Sequence, residues 1–149
     1  MAEMQSCVLT NMCMITQDDR MLVQDRLDPN WPGITFPGGH VEPGESFVRS
    51  VQREVREETG LMLDRVRLCG VKQFPLPEGR YIVLFFKADS FTGTLRSSKE
   101  GKVFWVKREE LSKLTLADGF ESMLEVFEND QLSENFLWQE EDVWHTENL

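Results

Sequence analysis

The segment from residue 38 to 61, GGHVEPGESFVRSVQREVREETGL, crowds three glutamates into the end of a predicted helix. Glu45 or Ser46 can begin this helix after a Pro-Gly turn, and Gly60 can end it in a left-handed conformation. We therefore predict a helix over residues 45–59. Carboxylates in its last turns meet the negative end of the helix dipole, which costs about 0.3–1 kcal/mol each. Another interaction must hold them there.

The helical repeat places these glutamates at the edge of the apolar face rather than on the solvent face. Successive residues turn by about 100°. The residues predicted to be buried fall in one arc: Phe47, Val48, Val51 and Val55. Those predicted to face solvent lie nearly opposite: Arg49, Gln52, Arg56 and Thr59. Glu54, Glu57 and Glu58 border the buried arc.

The position of the three glutamates favours a cation site over an ordinary charged surface. A solvated face would be held by ion pairs four residues apart, and only Arg53 with Glu57 clearly offers one. Carboxylates crowded beside a core repel one another and are hard to keep ionised without a cation. Mg²⁺, or Mn²⁺ in its place, prefers such oxygen ligands and commonly bridges them to substrate phosphates. We therefore predict a magnesium site here.

The overall composition limits the partners of the chain. Its 149 residues suit a single domain over residues 1–149, and 26 acidic against 16 basic residues give a net charge of −10. That charge opposes binding to long nucleic acids and to anionic membranes. Cys7, Cys13 and Cys69 form no C-x-x-C pair, and we identify neither a signal peptide nor a transmembrane run. These features predict a cytoplasmic protein.

The rest of the chain mixes strands and helices without a regular βαβ repeat, which favours an α+β fold with a mixed sheet. Strands are predicted at residues 6–16, 20–26, 34–36, 66–74, 80–88 and 103–107. A second helix is predicted from Asp118 to Glu128. The acidic and aromatic segment 131–149 is predicted to pack its aromatic side chains on the body of the protein. A dimer contact and a cover over a ligand pocket remain alternatives for that segment.

Residues 39–61 resemble the signature of the Nudix hydrolases. The signature is G-x5-E-x7-R-E-U-x-E-E-x-G-U, where U is a bulky aliphatic residue, and this segment matches it without a gap. The match covers about 23 of the 149 residues, and its nine fixed positions make it far more specific than a short glycine motif. The resemblance implies the Nudix fold, an α-β-α sandwich with a mixed β-sheet. It also implies an enzyme that hydrolyses a nucleoside diphosphate linked to another group.

The resemblance assigns roles to individual residues. The expected metal ligands are the Gly39 carbonyl, Glu54, Glu57 and Glu58. Arg53 and Glu45 match positions that pair to orient the helix. MutT-like members of the family often use a glutamate outside the signature as general base, and Glu100, just before a strand, is the candidate here. Glu57 is the rival base, and an ordinary polar loop residue is the alternative reading of Glu100.

The resemblance to small MutT-like enzymes also implies a substrate class. The expected reaction is hydrolysis of a nucleoside triphosphate to the monophosphate and pyrophosphate, with 8-oxo-dGTP as the leading candidate. The candidate base-binding residues are Phe36, Phe74, Phe85 and Asp118, and ordinary core packing is the alternative for each ring. ADP-ribose, a nucleotide sugar or an RNA end remain alternative substrates. The alternatives outside catalysis are a non-catalytic nucleotide-binding module and a structural or partner-binding protein that uses its acidic and aromatic tail. A homodimer is a separate expectation.

Overall fold

The computed structural model describes residues 2–149 as a mixture of strands and helices. The strands are β1 Cys7–Gln17, β2 Arg20–Arg26, β3 Gly33–Thr35, β4 Leu61–Leu63, β5 Arg67–Pro75, β6 Arg80–Ala88, β7 Phe91–Gly93, β8 Gly101–Lys107, β9 Glu134–Glu140 and β10 Val143–Asn148. The helices are α1 Phe47–Thr59, α2 Phe120–Glu128 and a 3₁₀ helix at Arg108–Lys113. Neither α-helix within residues 2–149 has the length and apolar composition needed to cross a bilayer.

Eight of the strands form a mixed and divided sheet, and β4 and β7 pair separately. The hydrogen-bonded order is β10-β9-β5-β6-β1-β2-β3, and β8 also pairs with β2. β1 runs parallel to β6 along nine residue pairs but pairs with β2 only at Thr16 with Met21 and Gln17 with Arg20. The two halves of the sheet therefore separate beyond that end of β1. The segment from Pro37 to Val41 fills the gap by hydrogen-bonding to β1, with the Asn11 and Cys13 N–H groups donating to it.

The two helices cover opposite faces of the sheet. Val51 and Val55 of α1 pack into one apolar cluster with Cys13, Ile15, Leu22, Leu84 and Phe86. Phe120, Met123, Leu124 and Phe127 of α2 pack into another with Met12, Phe36, Val83 and Phe85. Consecutive residues of β6 alternate between the clusters because successive side chains of a strand point to opposite faces. This arrangement confirms the α+β class and the expected α-β-α sandwich.

Helix α1 differs from its sequence prediction in its first and last turns. It begins two residues later than predicted, because the Ser46 hydroxyl caps it by accepting from the Arg49 N–H. Val51 and Val55 are buried as predicted, but Phe47 is 46% and Val48 43% exposed because the first turn lies outside the apolar cluster. The prediction that Thr59 faces solvent is also wrong.

Thr59 is buried for a local reason. Its hydroxyl donates to the Val55 carbonyl and accepts from the Leu61 N–H, so it joins the last turn of α1 to β4. Gly60, between them, has a φ of 78°, which a residue with a side chain rarely adopts. The predicted end of the helix is therefore confirmed.

The C-terminal segment forms a β-hairpin that extends the sheet. β9 pairs parallel to β5, and β10 pairs antiparallel to β9 through a turn at Glu141 and Asp142. These two residues have φ values of 51° and 64°, which fit the tight hairpin turns that strands prefer. The prediction that aromatic residues of this segment pack on the body is confirmed for Trp144, whose ring meets that of Phe74 edge-on at 6.1 Å.

Candidate functional site

The C-terminal half of α1 lies directly against the glycine loop at residues 38–40. The Gly39 carbonyl accepts from the Asn11 N–H at 2.8 Å, and the Gly39 N–H donates to Asn11 Oδ1 at 3.1 Å. A Cβ atom at Gly39 would overlap the Glu54 carboxylate. A side chain at this position would have to displace the Glu54 carboxylate, so glycine lets the loop and that carboxylate lie this close together.

Arg53 gathers the acidic side chains on one side of the helix. Its guanidinium donates to both Glu45 oxygens at 2.7 and 3.0 Å, which is the bidentate geometry of a strong ion pair. It also donates to Glu54 at 3.0 Å and to Glu57 at 3.3 Å. The hydrogen bond from Arg53 lowers the pKa of Glu45 to about 2. This geometry supports the orienting role expected for Arg53 and Glu45.

Glu58 is the most buried of the glutamates in this helix, at 5% exposure. One of its oxygens accepts from the Gly38 N–H at 3.1 Å and from Gln24 Nε2 at 3.3 Å. Burial raises the pKa of Glu58 to about 8, and the neighbouring charges of Glu54 and Glu100 add to the effect. Within residues 2–149 the Glu58 carboxylate forms no salt bridge, and the charge of Arg26 offsets only part of the rise in its pKa.

Burial also raises the pKa of Glu54, although Arg53 opposes that shift. The side chain of Glu57 is more exposed, at 54%, and Arg53 is its ion-pair partner. The three carboxylates thus lie in a series from buried to exposed along one edge of α1.

The donor set suits a hard divalent cation. Three carboxylates and the second lone pair of the Gly39 carbonyl are the oxygen donors that Mg²⁺ prefers. A cation would also relieve the cost of ionising Glu58 beside Glu54. As the side chains stand, no three acidic, histidine or cysteine groups within residues 2–149 are close enough to share one ion. To bind the metal, Glu54 and Glu57 would have to give up their hydrogen bonds from Arg53.

Glu100 lies beside this cluster, although it is distant in sequence. β8 pairs with β2 so that Gly101 is opposite Arg26 and Val103 is opposite Gln24. Glu100 thus immediately precedes the strand that lies beside Gln24, the residue in contact with Glu58. Its charge is among those that raise the pKa of Glu58, after burial and the charge of Glu54.

Two of the predicted base-binding rings are core residues. Phe36 is 2% and Phe85 0% exposed. Phe36 packs edge-on against Phe120 at 4.9 Å, and Phe85 stacks on Phe127 at 4.3 Å. Neither ring offers surface to a base, so this part of the sequence prediction is wrong and the alternative of core packing holds.

Phe74 and Asp118 lie at a half-buried surface between β5 and the start of α2. Phe74 stacks on Tyr81 at 4.9 Å. Asp118 is exposed, and its carbonyl accepts from Trp31 Nε1 at 2.9 Å. Helix α2 begins at Phe120, two residues later than predicted, because Gly119 adopts a left-handed conformation before it. Asp118 therefore belongs to the turn that precedes the helix.

Sequence reasoning missed several residues that the fold adds to these two regions. They are Gln24 beside Glu58, and Trp31, Lys72, Tyr81 and Trp144 near Phe74 and Asp118. The only available signal was the alternation of Lys72 and Phe74 along one strand. It was too weak to single them out, because polar and aromatic residues alternate in many strands.

Comparisons with known proteins agree with this geometry. The family model of the NUDIX domain matches residues 8–128. YvcI of Bacillus subtilis, named as an uncharacterized Nudix hydrolase, is 37% identical over 113 residues, which are 72% of this chain and 70% of that protein. The ADP-ribose pyrophosphatase of Methanocaldococcus jannaschii is 35% identical over 92 residues, and the match spans 60% of this chain and only 54% of that enzyme.

Solved structures extend the agreement to the whole fold. The crystal structure of the MutT protein of Bacillus halodurans superimposes with a TM-score of 0.77 and 26% identity, covering 94% of this chain and 97% of that one. Both the family model and the fold therefore include the helix that carries the glutamates. This chain belongs to the Nudix family and is a pyrophosphohydrolase of that family.

Proposed function

We propose that this enzyme hydrolyses a nucleoside triphosphate to the monophosphate and pyrophosphate, with 8-oxo-dGTP as the leading candidate. The observation that carries the proposal is the row of Glu54, Glu57 and Glu58 on α1 beside the Gly38–Gly39 loop. The likeness to a MutT protein over nearly the whole chain supports a triphosphate substrate and, through it, a role in nucleotide-pool sanitation and DNA repair.

The glutamates and the Gly39 carbonyl would hold Mg²⁺, or Mn²⁺ in its place. Bound there, the ion would neutralise charge on the phosphoryl oxygens and lower the pKa of a water molecule. Arg53 holds Glu45 and α1 in a fixed orientation, so the carboxylates are presented from one rigid element. Nudix hydrolases generally use divalent metals, which fits this donor set.

Glu100 is our candidate for the general base. It lies at the start of β8, near enough to Glu58 to affect its pKa, and its side chain is exposed at the mouth of the cluster. Glu57 is the rival, but it already pairs with Arg53 at 3.3 Å. A carboxylate outside the metal ligands is better placed to accept a proton, because a bound cation lowers the basicity of its own ligands.

A panel of nucleotides tests the proposed reaction. We expect nucleoside triphosphates, oxidised and normal, to release pyrophosphate rather than phosphate in the presence of Mg²⁺. ADP-ribose and dinucleoside polyphosphates belong in the same panel because their cleavage yields different products. Release of phosphate alone, or turnover of ADP-ribose without turnover of any triphosphate, would contradict the proposal.

ADP-ribose or another nucleoside diphosphate derivative is the second candidate substrate. It is favoured by the 35% identity to a protein named as an ADP-ribose pyrophosphatase. A non-catalytic module is less well supported, because every carboxylate of the signature is retained.

The proposed setting is a reducing cytoplasm, with a small nucleotide as the partner. The net charge of −10 favours a small metal-bound nucleotide over a long nucleic acid or an anionic membrane. Cys7, Cys13 and Cys69 are free thiols. A homodimer stays a prediction.

A further inference from the structure

Lys72 of β5 is a buried cation without a hydrogen-bonding partner. It is 9% exposed, and within residues 2–149 its Nζ makes neither a hydrogen bond nor a salt bridge. Its neighbours are the Phe74 ring, 5.8 Å from Nζ, and the charge of Asp118. Burial lowers the pKa of Lys72, and Asp118 offsets only part of that effect. Within residues 2–149, Gln24 Oε1 is the one fully enclosed polar side-chain atom that lacks a hydrogen-bond partner, so the Nζ of Lys72 keeps some contact with solvent. A ligand can reach the ammonium from that side.

The sheet connects Lys72 to the carboxylate cluster through one row of residues. Lys72 is opposite Val83, Val83 is opposite Thr10, and Thr10 bridges to His40. Directly opposed residues share a face of the sheet, and neighbouring strands lie about 4.8 Å apart. Lys72 is therefore about 14 Å across the sheet from His40, by that spacing. His40 in turn is near enough to Glu54 to affect its pKa.

This row has two chemically different ends. Phosphates held at Glu54 leave the rest of a nucleotide to extend along the row toward Lys72. Two arginines near this path already have partners: Arg53 is held by acidic residues, and Arg26 donates to Asp28 and to the Trp31 carbonyl. The ammonium of Lys72 makes no such hydrogen bond and is available to meet the ligand.

Aromatic side chains and the turn before α2 surround Lys72. The ring of Phe74 is stacked on Tyr81 and met edge-on by Trp144, which β10 supplies and which remains 49% exposed. A Cβ atom at Gly119 would lie 3.7 Å from Lys72 Nζ, so the turn with Asp118 is directly adjacent. A donor, an acceptor and an apolar surface thus meet in one place.

We propose that Lys72 and Asp118 together select the base of the nucleotide, Lys72 by donating to a ring carbonyl oxygen and Asp118 by accepting from the adjacent ring N–H. The inference rests on the proposed function in taking the ligand to be a nucleotide. Guanine and uracil present a carbonyl oxygen beside an N–H. Adenine presents an amino donor beside a ring acceptor. Its donor would face the Lys72 ammonium, which is also a donor, and its acceptor would face the Asp118 carboxylate, which is also an acceptor. The enzyme therefore prefers oxo-bases to adenine.

Binding without catalysis tests this selection. We would titrate GMP and AMP, without metal, into the wild-type protein, Lys72→Met and the control Lys113→Met, whose lysine is exposed on the 3₁₀ helix. The wild type should bind GMP about 10- to 100-fold more tightly than AMP, the range for a charge-assisted hydrogen bond. Lys72→Met should lower that ratio by about tenfold or more, since one charge-assisted hydrogen bond is lost while Asp118 remains, and the control should keep the wild-type ratio. A wild type that prefers AMP, or a Lys72→Met ratio equal to that of the wild type, would overturn the proposal.

Two further measurements separate a failure of folding or of the proposed reaction from a failure of the inference. Removing a buried cation should leave the Tm of Lys72→Met unchanged or higher. If the Tm of Lys72→Met falls instead, the variant Lys72→Arg replaces it in the test, because arginine retains a donor. Lys72→Arg must then keep the preference for GMP, and a loss of that preference would also overturn the proposal.

Turnover of GTP and ATP with Mg²⁺ tests the proposed reaction separately. If neither triphosphate is hydrolysed but Lys72 still sets the GMP preference, the proposed function fails and the inference stands. If triphosphates are hydrolysed and the preference ignores Lys72, the inference alone fails.

Discussion

The two ends of the row of residues that joins α1 to β5 are built in opposite ways. At the α1 end, carboxylates lie within about one turn of a single helix, and Arg53 and Gln24 already hydrogen-bond to them. At the β5 end, Lys72 is buried without such a partner, among residues brought by β6, β10 and the turn before α2. The α1 end carries chemistry that suits any diphosphate. The β5 end carries the features that distinguish one nucleotide from another.

Replacing Glu57 by Gln should give the largest effect at the α1 end. The change removes a negative charge but keeps the size of the side chain, so turnover should fall by about 10²-fold or more. Steady-state kinetics with Mg²⁺ on the best triphosphate measures it.

Arg56→Ala is the matched control, because Arg56 is exposed on the same helix. Its turnover should stay within about threefold of the wild type. A loss below about threefold for Glu57→Gln would remove the ligand assignment.

Glu100→Gln should lower kcat by about 10²-fold, the lower part of the range for a positioned general base. KM and the Tm should change little, because Glu100 is exposed at the start of β8. An unaltered kcat would transfer the role of base to Glu57 or to another group.

Phe85→Leu separates core packing from base selection. Phe85 is 0% exposed and stacked on Phe127, so the variant should lose about 1–2 kcal/mol of unfolding free energy. The ratio of GMP to AMP affinity should remain that of the wild type. Denaturant unfolding and the same titration measure the two quantities, and a changed ratio with unchanged stability would return Phe85 to the base site.

Comparing the stability of the wild type and Glu58→Gln as a function of pH tests the electrostatics of the α1 end. Burial raises the pKa of Glu58 from its ordinary value of 4.5 to about 8 in the folded state, so the folded state retains a proton that the unfolded state releases. The stability that protonated Glu58 contributes is fully present below its pKa in the unfolded state. It is lost as the pH rises through its pKa in the folded state. Metal-free wild type should thus lose stability relative to Glu58→Gln by up to about 1.4 kcal/mol per pH unit in that window. Thermal unfolding in chelator from pH 5 to 8.5 measures it; a constant difference would show that the pKa of Glu58 is not raised.

The sequence predicted the α1 end because its determinants are local. One helix, one preceding glycine loop and one capping glycine place all the carboxylates, so the spacing in the chain fixes the spacing in space. The exposed Phe47 shows the limit of this reasoning, because a helical wheel cannot show where the underlying sheet ends.

The β5 end depends on features that cannot be predicted from the sequence pattern. A β-bulge between Leu68 and Gly70 shifts the alternation of β5, and Lys72 therefore points to the face that α2 covers. The hairpin that brings Trp144 turns at Glu141 and Asp142, although such turns usually carry asparagine or glycine. Strand alternation and turn residues, the usual guides, both mislead in this region.

Equilibrium binding of Mn²⁺, followed by the loss of its free-ion electron paramagnetic resonance signal, tests the central claim most directly. The wild type and Arg56→Ala should bind the ion saturably and alike. Glu57→Gln should bind it at least about tenfold more weakly, because an anionic oxygen ligand is lost. No binding by the wild type, or equal binding by the wild type and Glu57→Gln, would contradict the claim that these carboxylates hold a divalent cation for pyrophosphate hydrolysis.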